Sequence, residues 1–517
     1  MRHRMGPFLL LALLVGFALI AAPATAQQSC ESLMSIKLPN VTFTSAKSIN
    51  PPPDFEAPQT AGPFGTPAGL KVSVPFCRVE GFAHPTSDSH IGFEVWLPSA
   101  ANWNGKFLAV GNPGFIGSIG YGGLAGALRR GYATASTDTG HVDAGYSWAV
   151  GHPEKLVDWG YRAVHETAVT AKRLIQGFYG TPVKFSYWNS CHNGGNQGLN
   201  EVQRYPEDFD GVVAGDPAYY ITHLQAGSEY ITWVALKDGV KAPGYIPPSK
   251  YPMMHRAVLD ACDAKDGVVD GAIEDPPRCQ FDPKSIQCQG PDAASCLTAP
   301  QVETAKRIYA GAKFADGKQV YSGFQPGSEL GWGQMAVGPE PLAISTGFFK
   351  GIVFENPNWD FRTFDVDRDT RLADSRVGAA VNAIDPNLKA FKERGGKLIL
   401  YQAWNETIIP PRTLIDYYKN VEAAMGGSRQ TQDFARLFMV PGMGACPGFN
   451  NPSAFDVLGA VEQWRERNTP PEKIIASHTA EGKVYKTRPV CPYPQVAIYK
   501  GTGSTNDAAN FTCGTPK

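Results

Sequence analysis

The chain has 517 residues, 43% of them hydrophobic, and its 47 Lys and Arg nearly balance 48 Asp and Glu for a net charge of −1. That length exceeds one compact core and implies two or more lobes, while the interspersed charge excludes nucleic acid and anionic membrane as partners. Glycine (55) and proline (42) are plentiful but scattered, which without repeats or low-complexity blocks implies a loop-rich folded protein.

In chain order, residues 1–26 read as a signal peptide: Arg2 and Arg4, an apolar run from Phe8 to Ala22, then the small-residue site Ala24-Thr25-Ala26. A mature chain starting near Gln27 is expected to be secreted or periplasmic, and no later segment is apolar enough to span a membrane. Buried strands are expected at Lys106–Val110 and Tyr132–Ser136, a helix at Tyr161–Tyr179 and a strand at Val183–Trp188. The turn Ser190-Cys191-His192-Asn193-Gly194-Gly195 joins that strand to a further helix. From Ala218 to Asp385 the pattern changes to turns, short helices and four clustered cysteines. Strands resume at Lys397–Tyr401 and Leu437–Val440. The alternation gives an α/β sheet: residues 27–217 and 386–517 are expected to form one domain, with 218–385 inserted as a second lobe or lid.

Within the insertion, Asp263, Asp266 and Asp270 are spaced three and four residues apart, with Gly267 and Gly271 allowing a tight loop. Hard oxygen ligands at this density suit a structural Ca²⁺, with the carbonyls of Val268 and Ala272 completing the shell. A solvated acidic turn is the plainer reading, but Cys262 and Cys279 bracket the loop and are placed to staple it. All ten cysteines follow the signal segment, so disulfides are expected, with connectivity open. No C-x-x-C pair or Cys/His cluster supports zinc.

A strand-turn-helix junction is where an α/β-hydrolase carries its G-x-S-x-G nucleophile elbow. Here the apex is His192. The stretches Gly131–His141, Gly151–Lys155, Tyr161–His165, Gln203–Gly211, Gly395–Tyr401 and Phe438–Gly444 resemble the tannase and feruloyl esterase family over nearly the whole mature chain. The resemblance implies an α/β-hydrolase fold with a large inserted lid domain, calcium in the lid loop, and hydrolysis of aromatic-acid esters. It also implies the pairings Cys30–Cys77, Cys191–Cys446, Cys262–Cys279, Cys288–Cys296 and Cys491–Cys513.

Carried over position by position, the family's serine is His192, its acid falls at Glu406 in Trp404-Asn405-Glu406-Thr407, and its histidine falls at Ala445. The resemblance therefore implies that all three triad positions are substituted. A serine esterase needs a hydroxyl, a base and an orienting carboxylate, and Ser190, two residues before the apex, should point elsewhere. The three changes read as one rearrangement. His192 supplies the imidazole and Glu406, one methylene longer than Asp, reaches across to hold it.

The expected unit is a His192–Glu406 acid/base dyad, with an oxyanion hole from the backbone amides of Asn193 and of Gly114 in Gly111-Asn112-Pro113-Gly114. It suits elimination, retro-aldol cleavage, isomerisation or water-assisted hydrolysis of a small aromatic or phenolic compound. Alternatives are a conventional aromatic-ester hydrolase with an unrecognised nucleophile, and a noncatalytic ligand-binding protein. No organic cofactor is expected, and the oligomeric state is not legible. His141, His152 and His165 are expected to be buried structural residues, and His478 to face solvent.

Overall fold

The computed structural model describes residue 1 and residues 28–51, 53–60, 65–142, 145–335, 338–446 and 454–516. The signal-peptide reading, apart from Met1, lies outside the described residues. No helix among the described residues is long and apolar enough to cross a membrane.

The largest sheet has nine strands: β1 (Val41–Ile49), β2 (Phe76–Ala83), β3 (Ile91–Pro98), β4 (Lys106–Ala109), β5 (Ala133–Thr137), β6 (Phe185–Cys191), β7 (Gly211–Gly215), β8 (Lys397–Ala403) and β9 (Ala435–Val440). Their spatial order is β1-β2-β3-β5-β4-β6-β7-β8-β9. Pairing is antiparallel from β1 through β3 to β5, and parallel from β5 onward. Strands β7 and β9 are buried at every position, as strands covered on both faces must be. Helices α1 (Tyr121–Arg129), α2 (Ala163–Tyr179) and α3 (Asn193–Arg204) follow β4, β5 and β6. The expected helix from Tyr161 begins two residues later, because a π-turn over Asp158–Arg162 precedes it; apolar spacing does not register that wider turn.

Between β7 and β8 the chain adds no strand to this sheet. It forms α4 (Ile221–Leu236), α5 (Tyr251–Cys262), α6 (Ala299–Ala310) and α7 (Val366–Val381). These helices bury their own apolar cluster, including Leu224, Ile231, Tyr321, Trp332, Phe348 and Phe349. Phe115, Trp148 and Trp159 from the sheet-forming part join that cluster, so the inserted segment is anchored by aromatic packing. After β8 come α8 (Pro411–Ala424), α9 (Val457–Arg467) and the hairpin β10 (Ile474–Ala480)–β11 (Lys483–Val490). All ten cysteines are bridged in the five pairs that the resemblance implies.

Candidate active site

Four adjacent parallel strands, β6 to β9, end at one edge of the sheet, where ligands of open α/β sheets bind. β6 ends at Cys191 and is followed by His192, at φ 56° and ψ −118°. This sparsely populated conformation costs a non-glycine residue about 1–3 kcal/mol. The surrounding hydrogen bonds enforce it: His192 N–H donates to Gly215 O (2.9 Å), while its carbonyl accepts from Asn196 N (3.1 Å) and Ala218 N (3.2 Å). The turn is tight because glycine permits it. A Cβ on Gly194 would lie 1.9 Å from Ser190 Oγ, and one on Gly111 would lie 2.8 Å from Gly194 Cα. Ser190 is therefore packed against the first turn of α3.

Glu406 lies three residues beyond β8. Asn405 N donates to Met443 O (2.9 Å), fixing the Glu406 loop to the segment after β9. The Glu406 carboxylate is fully buried; Oε1 accepts from Ile408 N (2.8 Å) and Oε2 lies 2.9 Å from His192 Nε2. A carboxylate only accepts, so Nε2 carries the hydrogen and the basic lone pair falls on Nδ1. His192 is 9% exposed. Burial pulls its pKa down, but the charge and hydrogen bond of Glu406 and the charge of Asp216 outweigh it, holding His192 above the ordinary histidine value.

Asp216, which the sequence analysis missed, follows β7 directly and therefore lies between the strands that deliver His192 and Glu406. It is fully buried at φ 37°. Oδ1 accepts from Ala403 N (2.6 Å), and a carboxylate oxygen lies within 4.8 Å of a His192 ring nitrogen. Burial, then the charge of Glu406, pushes its pKa up to about 7 against the pull of His192 and the Ala403 N–H. The only sequence signal was a carboxylate immediately after an all-buried strand.

Ala445 is buried after β9, next to Cys446, whose sulfur lies within 4.8 Å of a His192 ring nitrogen. Asn193 opens α3, where the first N–H groups are not used by the helix. Its carboxamide is buried with neither polar atom hydrogen-bonded among the described residues. Gly114 has φ 53°, and a Cβ there would meet Ile344 of the inserted segment at 3.7 Å.

The other histidines meet expectation only in part. His141 is buried, stacks on Trp148 and bonds Phe115 O (2.8 Å), and His165 is only half-buried and pairs with Asp208 (2.6 Å). His152 has a side chain 46% exposed, paired with Asp88: it precedes a short surface helix rather than facing the core. His478 is buried, because strand alternation turns it inward with Ile474 and Ala476. Burial and the nearby Lys486 and Arg488 lower it to about 4.

In the loop after α5, the Asp263 oxygens accept from Asp270 N (3.3 Å) and Gly271 N (3.0 Å), and Asp266 accepts from Val268 N (2.9 Å). Asp270 pairs with Lys486 (2.8 Å) and Arg488. Among the described residues these three carboxylates do not form a group with ligand atoms mutually within 4.8 Å. The donor types fit a hard cation. Their arrangement, with Asp270 already neutralised, does not converge on one.

A sequence model described as tannase and feruloyl esterase matches residues 77–514. The chain belongs to the tannase and feruloyl esterase family. An uncharacterized esterase of Xanthomonas campestris pv. campestris is 37% identical, covering 98% of this chain and 94% of its own. A probable feruloyl esterase B-2 of Aspergillus oryzae is 32% identical over 99% of each. The crystal structure of feruloyl esterase B from Aspergillus oryzae superposes with a TM-score of 0.87 at 29% identity, covering 94% of this chain and all of that one. Tannin acyl hydrolase from Aspergillus niger, at 21% identity and a TM-score of 0.76 over 93% and 94%, shares the fold. The family's α/β-hydrolase-like architecture is thus that of this chain.

Proposed function

We propose that this family member hydrolyses an ester of an aromatic acid with His192 as general base on water, held by Glu406, in place of a seryl nucleophile. Membership in a family whose relatives are named esterases supports the reaction class. The observation that carries the mechanism is His192 Nε2 at 2.9 Å from the buried Glu406 carboxylate, at an elbow apex that offers no hydroxyl.

Nδ1 takes a proton from water as the water oxygen adds to the ester carbonyl carbon, and Glu406 steadies the imidazolium. The backbone N–H groups of Asn193 and Gly114 receive the developing oxyanion. When the intermediate collapses, the carbon–oxygen bond to the alcohol breaks, His192 returns its proton to the leaving oxygen, and acid and alcohol depart. Bridging of all ten cysteines supports an oxidising, secreted or periplasmic setting. The loop carrying Asp263, Asp266, Val268, Asp270 and Ala272 is proposed to bind Ca²⁺ structurally, with Lys486 and Arg488 giving up Asp270.

The test is turnover of a panel of phenolic esters, lignin-derived dimers and aromatic β-hydroxy carbonyl compounds, with product mass spectrometry and a fluorophosphonate pretreatment. Products gaining the mass of water at an undiminished rate are expected. A labelled serine with lost activity establishes an acyl-serine route instead; products of unchanged total mass establish a lyase or isomerase. No turnover on any compound favours a binding protein.

A further inference from the structure

The two carboxylates at the site have little to balance them. Among the described residues neither Asp216 nor Glu406 pairs with a lysine or arginine, and the ion pair of either is His192 with Glu406. Two buried carboxylates without a fixed cation are costly, and the imidazole at the end of the neighbouring strand β6 is the group able to offset that cost by holding a proton. Asp216 is placed by backbone alone: its N–H donates to Tyr401 O (2.8 Å), and Oδ1 accepts from Ala403 N (2.6 Å). Both residues belong to β8, the strand that leads to Glu406. Oδ2 points toward the elbow, 3.6 Å from Cys191 Sγ.

We propose that Asp216 is a positioning residue of the proton-transfer unit: its fixed carboxylate acts on His192 together with Glu406, and the balance between the two carboxylates sets the pH at which His192 becomes a free base. The proposal rests on the reading of His192 as the proton-transfer group. The other titratable groups whose charge state bears on the cluster are the phenols of Tyr401, against Asp216, and Tyr321, against Glu406. Burial holds both phenols neutral throughout the useful range, so neither exchanges a proton with His192 there. An Asp216 that itself titrates near neutrality couples its own proton to that of the imidazole.

Asp216→Asn separates charge from architecture, since the amide oxygen still accepts from Ala403 N–H and asparagine tolerates positive φ. The protein is labelled with [¹³Cε1]histidine, and the His192 resonance, assigned with His192→Gln, is followed against pH. In the wild type His192 is expected to titrate above the ordinary 6.5; in Asp216→Asn it is expected to titrate lower by about 1 pH unit. The acidic limb of the kcat/KM profile moves with it, a result that a purely structural role would not give. Identical His192 titrations in the two proteins overturn the proposal. So does a wild-type His192 titrating at or below 6.5, which needs no variant to fold. A shifted titration with turnover intact in His192→Gln keeps the coupling and rejects the base role.

Discussion

His192 is held at φ 56° with its ring against a buried carboxylate, and its hydrogen-bonding nitrogen is the one that cannot also be the base. If it acts neutral, kcat/KM rises with pH through a pKa above the ordinary histidine value, because Glu406 and Asp216 favour the imidazolium. A pH–rate profile flat across pH 6–8 would remove that role. Beside it, the buried carboxamide of Asn193 has both polar atoms unpartnered among the described residues, an expense usually retained for a ligand. Asn193→Leu, close in volume and keeping the backbone N–H, is expected to raise unfolding free energy by about 1 kcal/mol while lowering kcat/KM. Denaturant titration and steady-state kinetics check the two halves; a destabilised variant with unchanged kinetics would assign Asn193 to architecture.

At the scale of elements, the site is made by four strand ends. Cys191–Cys446 joins two of them across 255 residues. Replacing both cysteines by alanine is expected to cost about 2–5 kcal/mol and to depress turnover by freeing the elbow from the loop after β9; calorimetry and kinetics measure both. Much of this was legible. Apolar runs marked β4, β5, β6, β8 and β9 to within a few residues, and the turn at Ser190–Gly195 marked the elbow. Asp216 escaped because its partners come from the ends of neighbouring strands and lie far away in the sequence, and a lone carboxylate after a buried run carries no motif. His478 escaped because its polar neighbours hid the strand alternation that buries it. In the loop after α5, spacing showed three carboxylates but not the Lys486 and Arg488 that β11 brings to Asp270. Binding of Ca²⁺ there predicts a melting temperature that falls with chelator and recovers on adding Ca²⁺; a melting curve indifferent to both would leave Asp270 to its two cations.

For the whole molecule, the sheet with its inserted helices buries carboxylates that the unfolded chain would ionise freely. Asp138, Asp216 and Glu229 are each pushed by burial up to about 7. A folded-state pKa above the unfolded value stabilises below the unfolded value and loses that contribution as pH rises through the folded one. His478, lowered to about 4, acts with the opposite sign but only below about 6.5. Stability is therefore expected to fall by about 1–2 kcal/mol between pH 6.5 and 8, as denaturant titrations at the two values would show; a rise over that window would contradict it. The chain belongs to a family whose relatives are named esterases, and the chemistry proposed for it turns on one imidazole. The most direct test is turnover of a phenolic ester by the wild type and by His192→Gln, with circular dichroism confirming the fold. A loss of about 10²–10⁴ in kcat is expected; turnover equal to wild type would remove His192 from the chemistry.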